Sequence, residues 1–285
     1  MYEVDQYTVS LLHFDDGIKD ETGRVWTAQN GAVISNIQTK FGDSSLYLNG
    51  TDQYLTTPNS ADLDFGNGDF TIDWWEFRET DSLYNPVLIR TNSKIHSYQV
   101  GVCNESGIVV NISSNGIDWD IAKTIPMGKI ILNAWTHYAL VRQGNTFYTF
   151  QNGSLVSSWT SSLSIMKGAD TTSLGHYSPY NYTYKGYIDE FRISNIARWT
   201  SDFDPNPKVG KALLIVTMSD EIQKEYELST DEINSFITWY NNRSTGVGLP
   251  HYTFNKDFNL GPFQSRKDYL VFDKIQNFEV MEYTK

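Results

Sequence analysis

The chain has 285 residues, 40% of them apolar and 14% aromatic, and a formal net charge of −12. That apolar content excludes wholesale disorder, and the length fits two domains or one large β domain. The acidic balance argues against nucleic acid, whose phosphates are gripped by clustered Lys and Arg, and against anionic lipid surfaces.

From the N-terminus, MYEVDQYTVS has neither the basic nor the apolar stretch of a secretory signal peptide, and no apolar run approaches the ~18 residues of a membrane span. The expectation is assembly in the cytoplasm. Through residues 1–205 helical periodicity is almost absent. Short β-rich runs alternate with Gly, Asn, Asp and Ser, which predicts strands at 8–14, 32–34, 45–48, 54–56, 70–78, 87–90, 97–103, 108–113, 119–122, 135–142, 146–151, 154–160, 172–175 and 187–194. Cys103, the only cysteine, reads as a small strand hydrophobe, because no base or electropositive setting marks it as a reactive thiol. The stretch from Trp135 to Trp159 organises the rest. Trp135, His137, Ala139 and Val141 recur at every second position, as on a pleated strand. Asn152-Gly153 then suits a type I′ hairpin, whose two central residues need positive φ. A meander of this kind must bury its apolar face against a second layer.

The texture changes at Asp204-Pro205-Asn206-Pro207, where two prolines rule out a central strand and stiffen a connector. A domain boundary is placed there, giving a β-sandwich over 1–205 and a small α+β module over 206–285. In the module, 212–218 and 223–228 read as a hairpin. Ser229 followed by Glu232 is a capping box that opens a helix over 230–243. Ile233, Phe236, Ile237 and Tyr240 form its apolar stripe. Residues 251–254 and 268–282 return to strand.

Four segments, in order, carry a family resemblance: LLHFDDGIKDETGRVWT, FGDSSLYLNGTDQYLTTPNSADLDFGNGDFTIDWWEF, NAWTHYALVRQGNTFYTFQNGSLV and GYIDEFRISNIARWTSDFDP. Over residues 8–205 the chain resembles the laminin-G-like, concanavalin A-like jelly roll. The resemblance implies two face-to-face antiparallel sheets with the first and last strands close together, and a role in binding glycans or proteins or in plain structure. The variant ending in ARWTSDFDP is similar to domains of bacteriophage and prophage virion proteins. That implies a virion location, with other virion proteins and cell-surface glycans as partners, and leaves a homo-oligomer open.

Related domains often carry calcium near the start of the chain and the closing strand. The matching carboxylates are Asp15, Asp16, Asp43 and Asp189. The competing reading is that they make salt bridges or cap loop backbone. Retaining glucanases of this fold set Glu-X-Asp-X-Glu on one strand face. Here the acidic strands offer only Asp73-Trp74-Trp75-Glu76 and Asp189-Glu190, so no catalytic set is assigned. The five histidines lack zinc spacing, and His137 reads as a packed strand residue. For sugar, the candidates are Trp119 and the Tyr-dense run before the closing strand: His176, Tyr177, Tyr180, Tyr182 and Tyr184. Sugar C–H faces stack on such rings, and a self-packed loop is the alternative. Of adjacent Trp74 and Trp75 one should face outward, into an interface or under the C-terminal module. The expectation is a non-enzymatic, lectin-like virion protein for capsid decoration or adhesion. A bacterial lectin module is the alternative, and a glycoside hydrolase the remoter one.

Overall fold

The structure is a computed structural model that describes residues 1–91, 96–104, 107–168, 171–177, 180–206, 211–256, 262 and 265–283. Ser178, Pro179 and Pro207, and the side chain of Cys103, lie outside the described residues. The chain divides into two units, Met1–Pro205 and Asn206–Lys285.

Runs with period-two apolar patterning become strands, and Gly- and Asn-containing segments turn them. The first unit holds β1 (Thr8–Leu12), β2 (Thr27–Gln29), β3 (Val33–Ser35), β4 (Ser45–Asn49), β5 (Tyr54–Pro58), β6 (Phe70–Arg78), β7 (Leu88–Thr91), β8 (His96–Asn104) and β9 (Gly107–Ile112). It continues with β10 (Ala122–Gly128), β11 (Trp135–Gln143), β12 (Thr146–Gln151), β13 (Ser154–Thr160), β14 (Thr171–Leu174), β15 (His176–Tyr177), β16 (Tyr182–Thr183) and β17 (Lys185–Ser194). One sheet runs β13-β12-β11-β6-β17-β4-β3, with β1 also on β17; the other runs β10-β9-β8-β7-β14-β5-β2. The first and last strands of the sandwich pair antiparallel, Leu12 opposite Phe191. Between the sheets lies a core that includes Leu46, Ile72, Trp74, Leu140 and Phe191 from one layer and Leu55, Leu88, Val100 and Val110 from the other. Each such side chain stabilises the fold by about 1.5–3 kcal/mol when fully buried.

The meander β11-β12-β13 turns at Asn152 and Gly153, both at positive φ (50° and 77°). Strand β10 begins at Ala122, later than the 119–122 expectation. The Asp120 carboxylate accepts from the Ser114 N–H and hydroxyl and closes a turn there, so Trp119 stays in the connection. Pro126 is tolerated because β10 is an edge strand.

Trp75 is the outward member of the tryptophan pair, and it is buried. Its cover comes from its own unit. Tyr2, Phe41 and Trp135 cluster with it, and the Lys40 ammonium sits 3.9 Å from its ring. Trp199 and Phe203 cover the neighbouring outer residues Ala139, Val141 and Phe150. The outer face of the eight-stranded sheet is thus largely paved by the chain itself. His137 is buried there, 3.5 Å from Asp73, as a packed strand residue.

The second unit contains β18 (Lys211–Met218), β19 (Gln223–Ser229), α1 (Thr230–Ser244), β20 (His251–Lys256), β21 (Arg266–Val271) and β22 (Ile275–Tyr283). The capping box at Ser229 and Glu232 forms. The sheet β19-β18-β22, the hairpin β20-β21 and the helix share a core that includes Leu214, Tyr226, Phe236, Trp239 and Phe254. The expected single strand 268–282 is broken by a short 3₁₀ turn, Phe272–Lys274. Its halves pair with different partners, β20 and β18. The apolar spacing slips from two to three between Phe272 and Ile275, which marks the break. Among the described residues no helix is long and apolar enough to cross a membrane.

Candidate functional site

On the outer face of the seven-stranded sheet, a bulge prepares an apolar patch. Gly101, at φ 73°, is the extra residue between paired Val100 and Val102. It shifts the alternation, so Val100 enters the core while Val102 joins Ile89, Val109 and Tyr177 in a separate cluster. A Cβ at Gly101 would lie 2.9 Å from Val87, so this position requires glycine.

The Tyr-dense run folds over that patch as a small hairpin, β15 against β16, with Tyr177 opposite Tyr182. A cavity of about 260 Å³ opens there. Ile89, Gln99 and Val102 of the sheet line it, with Tyr177, Tyr180 and Tyr182 from the hairpin region. Tyr84 and Pro86, before β7, and Trp119, before β10, complete the lining. Tyr182 stacks on Tyr84 (centroids 4.7 Å, 15°) and on Tyr180 (5.4 Å, 16°). Tyr180 is 62% exposed and Tyr84 48%, so ring surface remains available to a ligand. Burial pushes the Tyr177 phenol up to about 12, with Tyr180 and Tyr182 adding to the rise; a side-chain hydrogen bond with Gln99 opposes it. The phenol is therefore neutral at physiological pH.

The structure brings Trp119, Tyr177, Tyr180 and Tyr182 to one cavity; it places His176 and Tyr184 elsewhere. Tyr184 is fully buried in the sandwich core, donates to the Tyr187 carbonyl at 3.2 Å and lies under the Arg78 guanidinium, so it cannot meet a ligand. His176 is buried against Tyr54 (4.3 Å, 22°), and burial lowers its pKa. His176 alternates with Tyr177 across the hairpin pleat and faces the other way, whereas Tyr184 lies between β16 and β17, where the regular pleat is broken, and enters the core. Tyr84 and Gln99 were not singled out in the sequence. Gln99 carried a faint signal, a polar residue within the apolar run YQVGVC.

The four candidate calcium ligands do not converge. Asp15 accepts from the N–H groups of Asp43 (2.6 Å) and Ser44 (3.1 Å), and Asp189 from those of Lys40 (2.8 Å) and Phe41 (3.1 Å). Asp16 and Asp43 are exposed. Calcium takes 6–8 oxygens, whereas among the described residues no three His, Cys, Asp or Glu gather to hold a metal. The set does not fit a calcium ion; two of its members clasp the 40–44 backbone.

Adjacent strand residues such as Asp189 and Glu190 ordinarily point to opposite faces. A bulge between Asp189 and Arg192, with Glu190 at φ 51°, overrides that alternation. Both are buried, and Glu190 accepts from the Tyr2 N–H at 2.7 Å and lies 2.8 Å from His13 Nδ1. Burial raises the Asp189 carboxyl to about 7, and the charges of Glu190 and Asp15 add to the rise. Burial pushes the Asp73 carboxyl up, but the bidentate Arg192 guanidinium and His137 together outweigh it and keep the carboxyl below the usual range. Glu76 is tied to Arg78 at 2.8 Å and to the Trp74 indole at 3.0 Å.

A family model for the concanavalin A-like lectin/glucanases superfamily matches residues 49–202, more than half of the chain, and the chain belongs to that superfamily. Among solved structures it is similar to domain 4 of AbnA, a GH43 extracellular arabinanase from Geobacillus stearothermophilus solved in complex with arabinotriose. That likeness has a TM-score of 0.54 and 20% identity, over 67% of this chain and 93% of the other. It is similar also to the binding domain of botulinum neurotoxin DC in complex with SialylT, with a TM-score of 0.51 and 12% identity, over 68% of this chain and 48% of the other. At these identities the likeness is one of fold. An uncharacterized protein of Clostridium acetobutylicum is 40% identical over 75 residues, 26% of this chain; the chain spans about a fifth of that relative's length (19%).

Proposed function

We propose that the chain is a non-catalytic, lectin-like protein whose aromatic cavity on the seven-stranded sheet takes a sugar. The observation that carries this reading is the cavity itself: the exposed rings of Tyr84 and Tyr180 and the half-buried rings of Trp119 and Tyr182 beside one amide, on the outer face of the seven-stranded sheet. Sugars are recognised by such pairing of ring faces with a few polar groups. Hydrolysis would need two carboxylates about 5–9.5 Å apart across the scissile bond. Among the described residues no carboxylate lines the cavity, and Glu76, Asp73 and Asp189 are committed to Arg or backbone N–H groups in the interior. The neighbour solved with arabinotriose agrees with a sugar-binding reading.

The finer reading is display on a bacteriophage virion, for decoration or adhesion, with the C-terminal unit as anchor. It is supported by the similarity of the ARWTSDFDP run to virion domains and by the separate core of the second unit. Co-sedimentation of the full chain with capsids from the same genome tests it.

For the sugar reading, the test is a glycan array probed with the full chain, the Tyr182→Ala variant and the Trp119→Ala variant. Each substitution is expected to weaken the best binder about tenfold, since one stacked ring contributes on the order of 1 kcal/mol. Unchanged binding in both variants, or release of reducing ends by the wild type, contradicts the reading.

A further inference from the structure

Resting on the sugar-binding reading of the cavity, we infer that it selects uncharged sugars and rejects their acidic counterparts. Gln99 supplies the side-chain amide of the lining and the tyrosines supply phenols; no Lys, Arg or His is among the described lining residues. A carboxylate moved out of water needs a cation or several donors to replace its hydration, and the cost is large when they are lacking. Arg90, next to Ile89 in β7, is no substitute. The pleat turns it to the opposite side, where Asp64 (2.6 Å) and Asn59 hold it.

Acidic residues also neighbour the lining in the chain: Asp118 and Asp120 flank Trp119, and both are exposed. The chain as a whole carries −12. Charges act over about 8 Å at physiological salt, so an acidic sugar stacked on Trp119 would be repelled by the two carboxylates adjacent to it in the chain. The cavity, at about 260 Å³, falls below the ~300–1,000 Å³ of drug-sized sites. It has room for a sugar ring or two, which places any acidic substituent close to the rim.

The test is equilibrium binding of the full chain to matched pairs of oligosaccharides, each neutral hexose oligomer against its sialylated or uronic-acid counterpart, at fixed ionic strength. The neutral member is expected to bind, and the acidic one about tenfold weaker or less. Tyr180→Ala weakens the neutral binding about tenfold, and Asp118→Lys narrows the gap within a pair. Equal or tighter binding of the acidic members, weakened likewise in Tyr180→Ala, overturns the selectivity while leaving the cavity as the site. Binding unchanged in Tyr180→Ala, or no binding to either member of any pair, overturns the cavity reading and this inference with it.

Discussion

Asp189 shows how one side chain can carry a conflict between function expected and structure built. As a calcium ligand it would need free oxygens converging with others. Instead one oxygen receives the Lys40 and Phe41 N–H groups, and the other is buried without a hydrogen-bond partner among the described residues. Burial, then the charges of Glu190 and Asp15, raise it to about 7. Its folded pKa lies above its unfolded one, so the folded state holds the proton more tightly. The resulting stability is full below about pH 4 and is lost as pH rises through 7. Asp189→Asn keeps an acceptor for the two N–H groups and removes the titration. Thermal melts from pH 5 to 8 should show wild type losing stability relative to this variant by about 1 kcal/mol per pH unit up to pH 7, with the difference flat above. Parallel curves throughout would mean that Asp189 ionises normally. The identity of these carboxylates was legible in the sequence; their commitment was not, because the bulge at Glu190 carries no residue signature.

Turns and caps were the most readable elements, since their chemistry is local. Asn152-Gly153 forms its hairpin, and a Cβ at Gly153 would lie 1.8 Å from the Phe203 carbonyl oxygen. Gly153→Ala should therefore cost more than the about 1–3 kcal/mol of positive-φ strain alone. Gly144→Ala, at φ 56° with open space around it, should cost only the strain. Urea melts of the pair check the difference; equal losses would show that the Phe203 segment yields freely. Ser229→Ala breaks the capping box and should destabilise the second unit by about 1 kcal/mol, read from the same melts. A change within error would mean that water replaces the cap. The Tyr-dense segment was legible as a ligand candidate, but not as a hairpin whose pleat divides its residues. That division sends Tyr177 to the cavity and His176 away from it, and the break after Thr183 leaves Tyr182 at the cavity and Tyr184 in the core.

At the scale of the molecule, ordered motifs and strand periodicity made the sandwich legible. Which residues of the first unit cover its outer faces was not. Tyr2, Phe41, Trp199 and Phe203 pave the eight-stranded sheet from positions far apart in the chain, and only folding brings them together. Tyr84 joins the cavity for the same reason, through a connection far in sequence from the Tyr hairpin. Together these long-range placements cover the eight-stranded sheet and assemble the aromatic cavity on the seven-stranded one. The most direct measurement is a crystal structure of the full chain with the tightest neutral glycan found on the array. A sugar ring seated between Trp119 and the Tyr180–Tyr182 stack is the predicted result. A glycan bound instead over the eight-stranded sheet, or among Asp73, Glu76 and Asp189, would contradict the account.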